Sequence, residues 1–406
     1  MTSEAAREYQ RYREVFRGER LPLAFVDLDR FDRNVAYVAR TQKDTGKTVR
    51  VHTKSLRCAR LIRRVLEVGG DKYRGLMCFT VEEAEFLSER GFYDFLVAYP
   101  TVQSSDLARL VGMIRAGRVV SVMADSVEHL EALDRAGREG GVKLRACLDV
   151  DLSYRPLGSS FHLGVRRSPL RTAGEALAVA RASLDLTGVE IDSVMGYEGH
   201  IAGLSDDLPG RRLKSWAVRL MKKASIREFT PRRGGIVAEL KELGLNLRAV
   251  NGGGSGSLAS TGRDPSVTEV TAGSAFYAPG LFHHFREVSF TPAAFFALQV
   301  VRRPAPNLVT CLGGGYVASG VPGRDRLPVP VYPEGLKILP LEGAGEVQTP
   351  FLLPPDCPEL GLGDPVFLQH AKGGELAERF NELYLVQGDR IVDKVKTYRG
   401  EGRAFL

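Results

Sequence analysis

The sequence predicts an α/β protein in which a parallel (β/α)8 barrel precedes a C-terminal all-β domain. Short apolar runs rich in β-branched residues alternate with amphipathic helical segments over residues 23–284. After residue 285 the β-type runs are short and are interrupted by Pro and Gly. With 406 residues, 44% of them hydrophobic and 26% charged, the chain is long enough for two domains.

The N-terminal segment, residues 1–22, mixes Glu with Arg and has no apolar core. We expect a helical lead-in here, and neither a signal peptide nor a transit peptide. The run Leu23–Asp27 is the first predicted strand. Eight strands remain if this first strand joins the β domain, and eight is the number that closes a TIM barrel.

The eight predicted barrel strands lie near Thr48–His52, Arg74–Phe79, Asp94–Ala98, Val119–Met123, Lys143–Asp149, Val189–Tyr197, Leu245–Asn251 and Thr268–Ala272. The helices between them have recognisable starts. Thr80 with Glu83 is typical of a capping box, and Asp29 and Ser126 are predicted N-caps.

The C-terminal domain, residues 285–406, contains four clear β-type runs: Ala294–Val301, Leu308–Cys311, Pro365–Leu368 and Glu382–Val386. Prolines interrupt the sequence between them, as in Pro328–Val331 and Pro354–Pro355.

Composition argues against several classes of partner. The net charge of +7 is modest for this length, and the densest basic region, residues 211–223, has the spacing of a solvated helix face, so we expect no nucleic-acid partner. No apolar run is long enough for a membrane span. Five cysteines form no C-x-x-C pair, which indicates reduced thiols and a cytoplasmic location.

A glycine tract, Asn251-Gly252-Gly253-Gly254-Ser255-Gly256-Ser257, follows the apolar run that ends at Val250. Backbone without Cβ atoms approaches an anion closely, and successive N–H groups form a concave nest for phosphate. The tract has neither a Walker sequence nor G-x-G-x-x-G spacing, so a phosphate on a small cofactor fits better. A flexible hinge is the alternative.

Lys54 lies at the carboxyl end of the first barrel strand, where a barrel places its catalytic residues. Desolvation and nearby cations such as Arg50 can lower a lysine pKa, so that the neutral amine forms a Schiff base with an aldehyde cofactor. A solvated charge is the alternative. The glycine tract follows the seventh barrel strand, so both features are expected at one face.

These segments, together with Leu23–Asp29 and Glu269–Ser274, resemble the family of D-threonine aldolase and D-serine dehydratase, which is related to alanine racemase. The resemblance spans residues 21–399. It implies a barrel that binds pyridoxal 5′-phosphate (PLP), and a homodimer. Lys54 would be the Schiff-base lysine, and His52, Asn251 and the tract Gly252, Gly253, Gly254, Ser255 and Gly256 would bind the cofactor.

Three further residues follow from the resemblance. Arg155, after the fifth barrel strand, is similar to the arginine that approaches the cofactor, with a surface ion pair as the alternative. Tyr197, after the sixth, would contact the cofactor. His200 would face the substrate and accept a hydroxyl proton, whereas a structural hydrogen bond is the alternative.

One segment departs from the family pattern. The dehydratases carry His-x-Cys and the aldolases His-x-Asp as metal ligands, whereas this chain has His370 followed by Lys372. An ammonium cannot ligate a cation, so the usual divalent site is expected to be lost or rebuilt, with Glu375 as a possible substitute. Lys372 and His370 are therefore predicted to contact the substrate. An idle, solvated Lys372 is the alternative.

The expected reaction is retro-aldol cleavage of a D-configured β-hydroxy amino acid, a small-molecule substrate. Water loss is disfavoured without a metal. Racemisation needs a second base, for which Tyr316 and Tyr384 are candidates. A PLP-binding protein without turnover is the alternative from another class. Arg166, Arg167 and Lys372 hint at an additional acidic group on the substrate.

Overall fold

The computed structural model describes residues 4–406, so Met1–Ser3 of the expected lead-in lie outside it. Helix α1 (Glu4–Val15) leads to strand β1 (Leu23–Asp27). The barrel strands are β2 (Thr48–His52), β3 (Tyr73–Cys78), β4 (Asp94–Val97), β5 (Val119–Ala124), β6 (Leu144–Val150), β7 (Val189–Gly196), β8 (Ala249–Gly252) and β9 (Glu269–Ala272). They form a closed, parallel eight-stranded barrel, which confirms the predicted fold class.

Helices surround the barrel: α2 (Leu28–Thr41), α3 (Ala59–Gly69), α4 (Val81–Ser88), α5 (Ser104–Arg115), α6 (Val127–Gly140), α7 (Ala173–Ala182), α8 (Gly199–Ala202), α9 (Arg212–Glu242), α10 (Leu258–Gly262) and α11 (Ser274–Tyr277). Thr80 caps α4 and Ser126 caps α6, as predicted. The Glu83 half of the predicted capping box differs, because its carboxylate accepts the N–H of Phe79 and not that of Thr80. Asp29 is not a cap, because the chain becomes helical earlier and the Asp27 side chain accepts the Arg30 N–H.

The C-terminal domain consists of β10 (Ala294–Ala305), β11 (Leu308–Leu312), β12 (Val329–Tyr332), β13 (Lys337–Ile338), β14 (Gln348–Leu352), β15 (Pro365–Gln369), β16 (Glu382–Gln387) and β17 (Arg390–Lys396). Strand β1 lies in this sheet, where it pairs with β10 antiparallel and with β16 parallel. The sheet is therefore built from both ends of the chain.

Two apolar clusters fill the molecule. The larger extends through the helix layer and the β domain. The smaller fills the barrel interior beneath its carboxyl end and consists of Met77, Leu96, Ala98, Met123, Cys147 and Met195. The five cysteines are free thiols. Among residues 4–406, no helix combines the length and the apolar composition needed to cross a bilayer.

The basic segment 211–223 lies at the start of α9, but the hydrophobic residues beside it are not its buried face. Leu213 is 85% exposed, whereas Lys222 is buried and pairs with Asp206 at 2.9 Å. The first half of α9 is thus held to the barrel mainly by polar contacts.

Candidate active site

A cavity of about 360 Å3 opens at the carboxyl end of the barrel strands. Its walls come from the loops that follow β2, β4, β6, β7, β8 and β9, and from two loops of the β domain that carry Arg326 and Lys372. Active sites of (β/α)8 barrels lie at this end, because the loops there converge from several strands.

Lys54 lies on this cavity, in one turn of 3-10 helix that follows β2. The preceding Thr53 fixes the turn by donating its hydroxyl to the Met77 carbonyl at 2.9 Å. Within residues 4–406, Lys54 Nζ has no hydrogen-bond or ion-pair partner. An unpaired, half-buried amine facing a cavity is available to a ligand.

The β domain also holds Lys54. Gly374 has φ of +88°, and a Cβ at this position would lie 2.0 Å from the Lys54 carbonyl oxygen. Only glycine allows this approach, so the backbone of the lysine is fixed from both domains.

His52 is the last residue of β2 and also lines the cavity. Its Nδ1 atom is buried without a hydrogen-bond partner. Burial, and then the charges of Lys54 and Arg167, lower the pKa of His52 well below 6.5. The ring is therefore neutral near pH 7 and can accept a hydrogen bond.

The glycine tract leaves β8 at Gly252. Gly253 has φ of +77° and donates its N–H to the Glu198 carboxylate at 2.7 Å. The Gly254 N–H is bonded to Ser257 Oγ at 3.0 Å. These two N–H groups hold the shape of the loop and are not free for an anion.

Free N–H groups occur slightly further along. Ser255 Oγ accepts the N–H groups of Gly273 at 3.2 Å and Ala275 at 3.0 Å, which joins the tract to the turn after β9. The N–H groups of Ser255, Gly256 and Ser274 have no acceptor among residues 4–406. Ser255 and Ser274 line the cavity, whereas Gly256 packs behind it against the Ala202 carbonyl.

A buried ionic network supports the tract. Arg233 of α9 is fully buried and contacts both Glu198 and Asp264 at 2.7 Å. Glu198 is the same carboxylate that receives the Gly253 N–H. Because buried charges need complete pairing, this network fixes the loop in one arrangement.

Asn251 lines the cavity floor, and its amide donates to Glu269 Oε1 at 2.7 Å. Glu269 also receives Arg50 Nε at 2.6 Å, and Asp94 pairs with the same guanidinium at 2.8 Å. Arg50 is therefore neutralised inside the barrel and does not line the cavity. The expectation that Arg50 acts as a nearby cation for Lys54 was wrong, because carboxylates of β4 and β9 enclose it.

Tyr197 lines the cavity, as does Tyr99. The Arg167 guanidinium lies 5.4 Å from the Tyr197 ring centre and 5.6 Å from that of Tyr99. Burial raises the pKa of Tyr197, while the Arg167 charge opposes this shift. Tyr197 is thus a neutral hydroxyl beside a cation.

Arg155 does not reach this cavity. Its guanidinium bonds Ser153 Oγ at 2.9 Å and Asp151 at 2.7 Å, which holds it along its own loop. Arg167, later in the same β6–α7 connection, is the arginine that lines the cavity. No local pattern favours Arg167 over Arg155, because both residues lie in one long loop.

His200 also lies outside the cavity lining. Its Nε2 is hydrogen-bonded to Ser225 Oγ of α9, and its buried Nδ1 has no partner. Burial lowers the pKa of His200 to about 4. In this arrangement the ring contacts helix α9 and cannot touch a molecule in the cavity.

Lys372 lines the cavity, whereas His370 is buried behind it. Lys372 Nζ donates to the carbonyl and hydroxyl of Ser319, and His370 Nδ1 contacts the backbone of Lys372. Glu375 accepts the Ser319 N–H at 3.0 Å. Among residues 4–406, no group of three or more His, Cys, Asp or Glu side chains is placed to hold a metal ion.

Several cavity residues were missed by sequence reasoning. They are Met77, Met195, Tyr99, Ser274 and Arg326. Arg326 lies in an irregular loop of the β domain, far along the chain from the barrel, and no motif marks it.

The fold and the site together define a fold-type III PLP protein: the barrel presents an unpaired lysine after its first strand and a glycine cradle after its seventh. Residues 26–279 match the family described as alanine racemase, N-terminal domain. This match covers more than half of the chain, and the protein belongs to that family.

Known relatives agree with this assignment. The chain is 23% identical to a D-threonine aldolase of Arthrobacter sp. over 291 residues, which are 71% of this chain and 70% of the relative. It is 27% identical to a D-threo-3-hydroxyaspartate dehydratase of Delftia sp. (strain HT23) over 255 residues, which are 62% of this chain and 60% of that protein. The solved D-threonine aldolase of Filomicrobium marinum superposes with a TM-score of 0.80 at 20% identity, covering 94% of this chain and 96% of that one.

The residues present fit PLP. Lys54 has an unpaired amine, His52 has an unpartnered Nδ1, and the N–H groups of Ser255 and Ser274 lack acceptors, all at one cavity. A Cβ at Gly254 would meet Ala202 at 3.2 Å and Tyr197 at 3.3 Å, so a side chain there would crowd the same wall.

Proposed function

We propose that the protein is a PLP-dependent amino-acid lyase that cleaves the Cα–Cβ bond of a D-configured β-hydroxy amino acid. The observation that carries this proposal is the unpaired Lys54 amine in one cavity with the glycine cradle. Lys54 would hold the aldehyde carbon of the cofactor, and the N–H groups of Ser255 and Ser274 would hold its phosphate. When bound, PLP supplies an electron sink for the bond that breaks.

Two residues of the cavity wall would act on the substrate. His52 is neutral and lines the cavity, so it is the proposed acceptor of the β-hydroxyl proton. Lys372 would place its ammonium, which Ser319 holds, toward the substrate hydroxyl or carboxylate. We propose that this fixed charge replaces the electrostatic contribution of a divalent metal.

The alternatives find less support. Neither candidate second base for a racemase lines the cavity: Tyr316 packs on Phe296 and Phe380, and Tyr384 donates to Glu19 at 2.8 Å. A carrier without turnover has no use for the charged wall that Arg326 and Lys372 of the β domain add to the cavity.

The test is an assay of the PLP-loaded protein with EDTA present. D-Threonine, L-threonine and both enantiomers of β-phenylserine are added, and the aldehyde is measured with a coupled dehydrogenase while the cofactor absorption band is followed. We expect aldehyde from a D-enantiomer only, and no cofactor band in Lys54→Ala. A band that responds to no amino acid would support the carrier, and activity that needs an added divalent metal would contradict the role of Lys372.

We further propose that the protein is a homodimer, as the resemblance implies. Sedimentation velocity is expected to give twice the 44.5 kDa of one chain. A species of the single-chain mass at micromolar concentration would contradict this proposal.

A further inference from the structure

The charged side chains that line the cavity are all positive. Among residues 4–406, four cations line it, namely Lys54, Arg167, Arg326 and Lys372, and none of the lining residues is Asp or Glu. Elsewhere in the barrel, arginines such as Arg50 and Arg233 are each paired with two carboxylates. A cavity with several unmatched cations attracts anions, because the low-dielectric walls strengthen their field.

The cations lie on two sides. Arg167 lies beside Tyr99 and Tyr197 on the barrel wall, and neither it nor Lys54 forms an ion pair within residues 4–406. Arg326 and Lys372 come from two β-domain loops that are tied together, since Lys372 Nζ and the Glu375 carboxylate both bind Ser319. The N–H groups that we propose for the cofactor phosphate, those of Ser255 and Ser274, are peptide groups and carry no net charge.

Arg326 is also incompletely paired. Its Nε is buried without a hydrogen-bond partner. Its one carboxylate neighbour, Asp325, is 3.4 Å away with a side chain that is 69% exposed, so solvent screens this pair. The side chain is nevertheless held in place, because it packs on Gly320 and its carbonyl accepts the Ala318 N–H at 2.9 Å.

We propose that the substrate carries a second anionic group on its side chain, and that Arg326 binds this group. This inference rests on the proposed function and names its substrate class: an amino acid with an acidic substituent beyond Cβ, either a carboxylate or a phosphate. One of the other cations would bind the α-carboxylate, which every amino acid has. The Arg326 guanidinium, which lines the cavity, then offers a charge-assisted hydrogen bond to the second acid.

The test uses amino acids that cannot undergo retro-aldol cleavage, so binding is read separately from turnover. The cofactor band of the PLP-loaded protein is titrated with D-aspartate and with D-2-aminobutyrate, which is of similar size but neutral. We expect D-aspartate to bind about 100-fold more tightly. This factor corresponds to the free energy of one or two hydrogen bonds to a charged group. Raising the salt concentration is expected to reduce this ratio.

The variant Arg326→Gln is expected to lower the preference for D-aspartate over D-2-aminobutyrate at least tenfold. Arg324→Gln is the matched control, because Arg324 is in the same loop, is exposed and does not line the cavity. Near-UV circular dichroism checks that both variants fold. O-Phosphoserine in the same titration distinguishes a phosphate from a carboxylate.

Equal affinity for the two ligands, or a ratio that Arg326→Gln leaves unchanged, would overturn the inference. If neutral β-hydroxy amino acids are cleaved while acidic ones are not preferred, the lyase proposal survives and this inference fails. If acidic amino acids bind tightly but none is cleaved, the acid site stands and the lyase proposal fails.

Discussion

His52 and His200, which follow two different barrel strands, differ in what their rings touch. His52 is at the end of a strand and lines the cavity, whereas His200 is in a short helix and bonds Ser225. The family resemblance implied that His200 is the base and that His52 binds the cofactor. Which one meets a ligand depends on side-chain direction, and neighbouring helices decide that direction.

At this scale we predict that His52→Asn lowers kcat at least 100-fold, because it removes the proposed proton acceptor. His200→Asn is expected to keep more than a tenth of the wild-type kcat, because its ring does not reach the cavity. Initial rates of aldehyde release measure both. A larger loss of kcat in His200→Asn than in His52→Asn would show that His200 is the base and that its side chain turns toward the substrate.

At the scale of elements, the tract after β8 depends on helix α9. Arg233, Glu198 and Asp264 are buried, and Glu198 holds the Gly253 N–H. Removing one partner from such a network leaves a buried charge without compensation.

We predict that Glu198→Gln lowers the free energy of unfolding by about 3 kcal/mol and weakens PLP binding as well. Urea denaturation of the apoprotein and equilibrium titration with PLP measure the two effects. Glu359→Gln, in the exposed pair with Arg303, is the control and is expected to change stability by about 0.5 kcal/mol or less. Wild-type PLP affinity in Glu198→Gln would show that the network does not shape the cradle.

Helix α4 provides a prediction about pH. Glu83 is fully buried, accepts the Phe79 N–H at 2.8 Å and the Tyr398 hydroxyl at 2.9 Å, and burial raises its pKa to about 7. Since the folded protein keeps this proton to higher pH than the unfolded chain, stability is expected to fall by about 2 kcal/mol between pH 4.5 and 7.

The variant Glu83→Gln is expected to remove this slope, which urea denaturation at about pH 5 and about pH 7.5 would measure. Glu82→Gln, one residue earlier and half-exposed, should keep it. An unchanged slope in Glu83→Gln would assign the pH dependence to another group.

At the scale of the whole molecule, the β domain is part of the site. It supplies Arg326 and Lys372, and Gly374 rests on the Lys54 carbonyl. The domains are also linked through β1, which precedes the barrel in sequence but lies between β10 and β16.

We predict that Gly374→Ala displaces Lys54 and reduces both PLP occupancy and activity at least tenfold, because a Cβ has no room there. Gly388→Ala is the matched control: it also has positive φ, +56°, but no atom lies within 4 Å of the point that its Cβ would occupy, so only local strain of about 1 kcal/mol is expected. The cofactor absorption per chain measures the effect. Full PLP occupancy in Gly374→Ala would show that the loop carrying residue 374 moves to make room for the Cβ.

Sequence alone determined the alternation of strands and helices, the number of barrel strands, and the placement of Lys54 and the glycine tract at one end. These are properties of chain order, since the carboxyl ends of parallel strands must share a face. The short strands β13 and β14 were not predicted, because β13 has two residues and β14 contains a proline, so neither shows a clear period of two.

Only the tertiary structure decided which side chains meet. Arg155 and Arg167 are both arginines of the β6–α7 connection, yet Asp151 holds the first and the cavity receives the second. Arg326 joins Lys54 from far along the chain through the packing of the β domain on the barrel. Loop direction and domain packing depend on contacts between residues far apart in the chain, which no local pattern predicts. The order of the strands and the spacing of their apolar residues can instead be inferred from neighbouring residues.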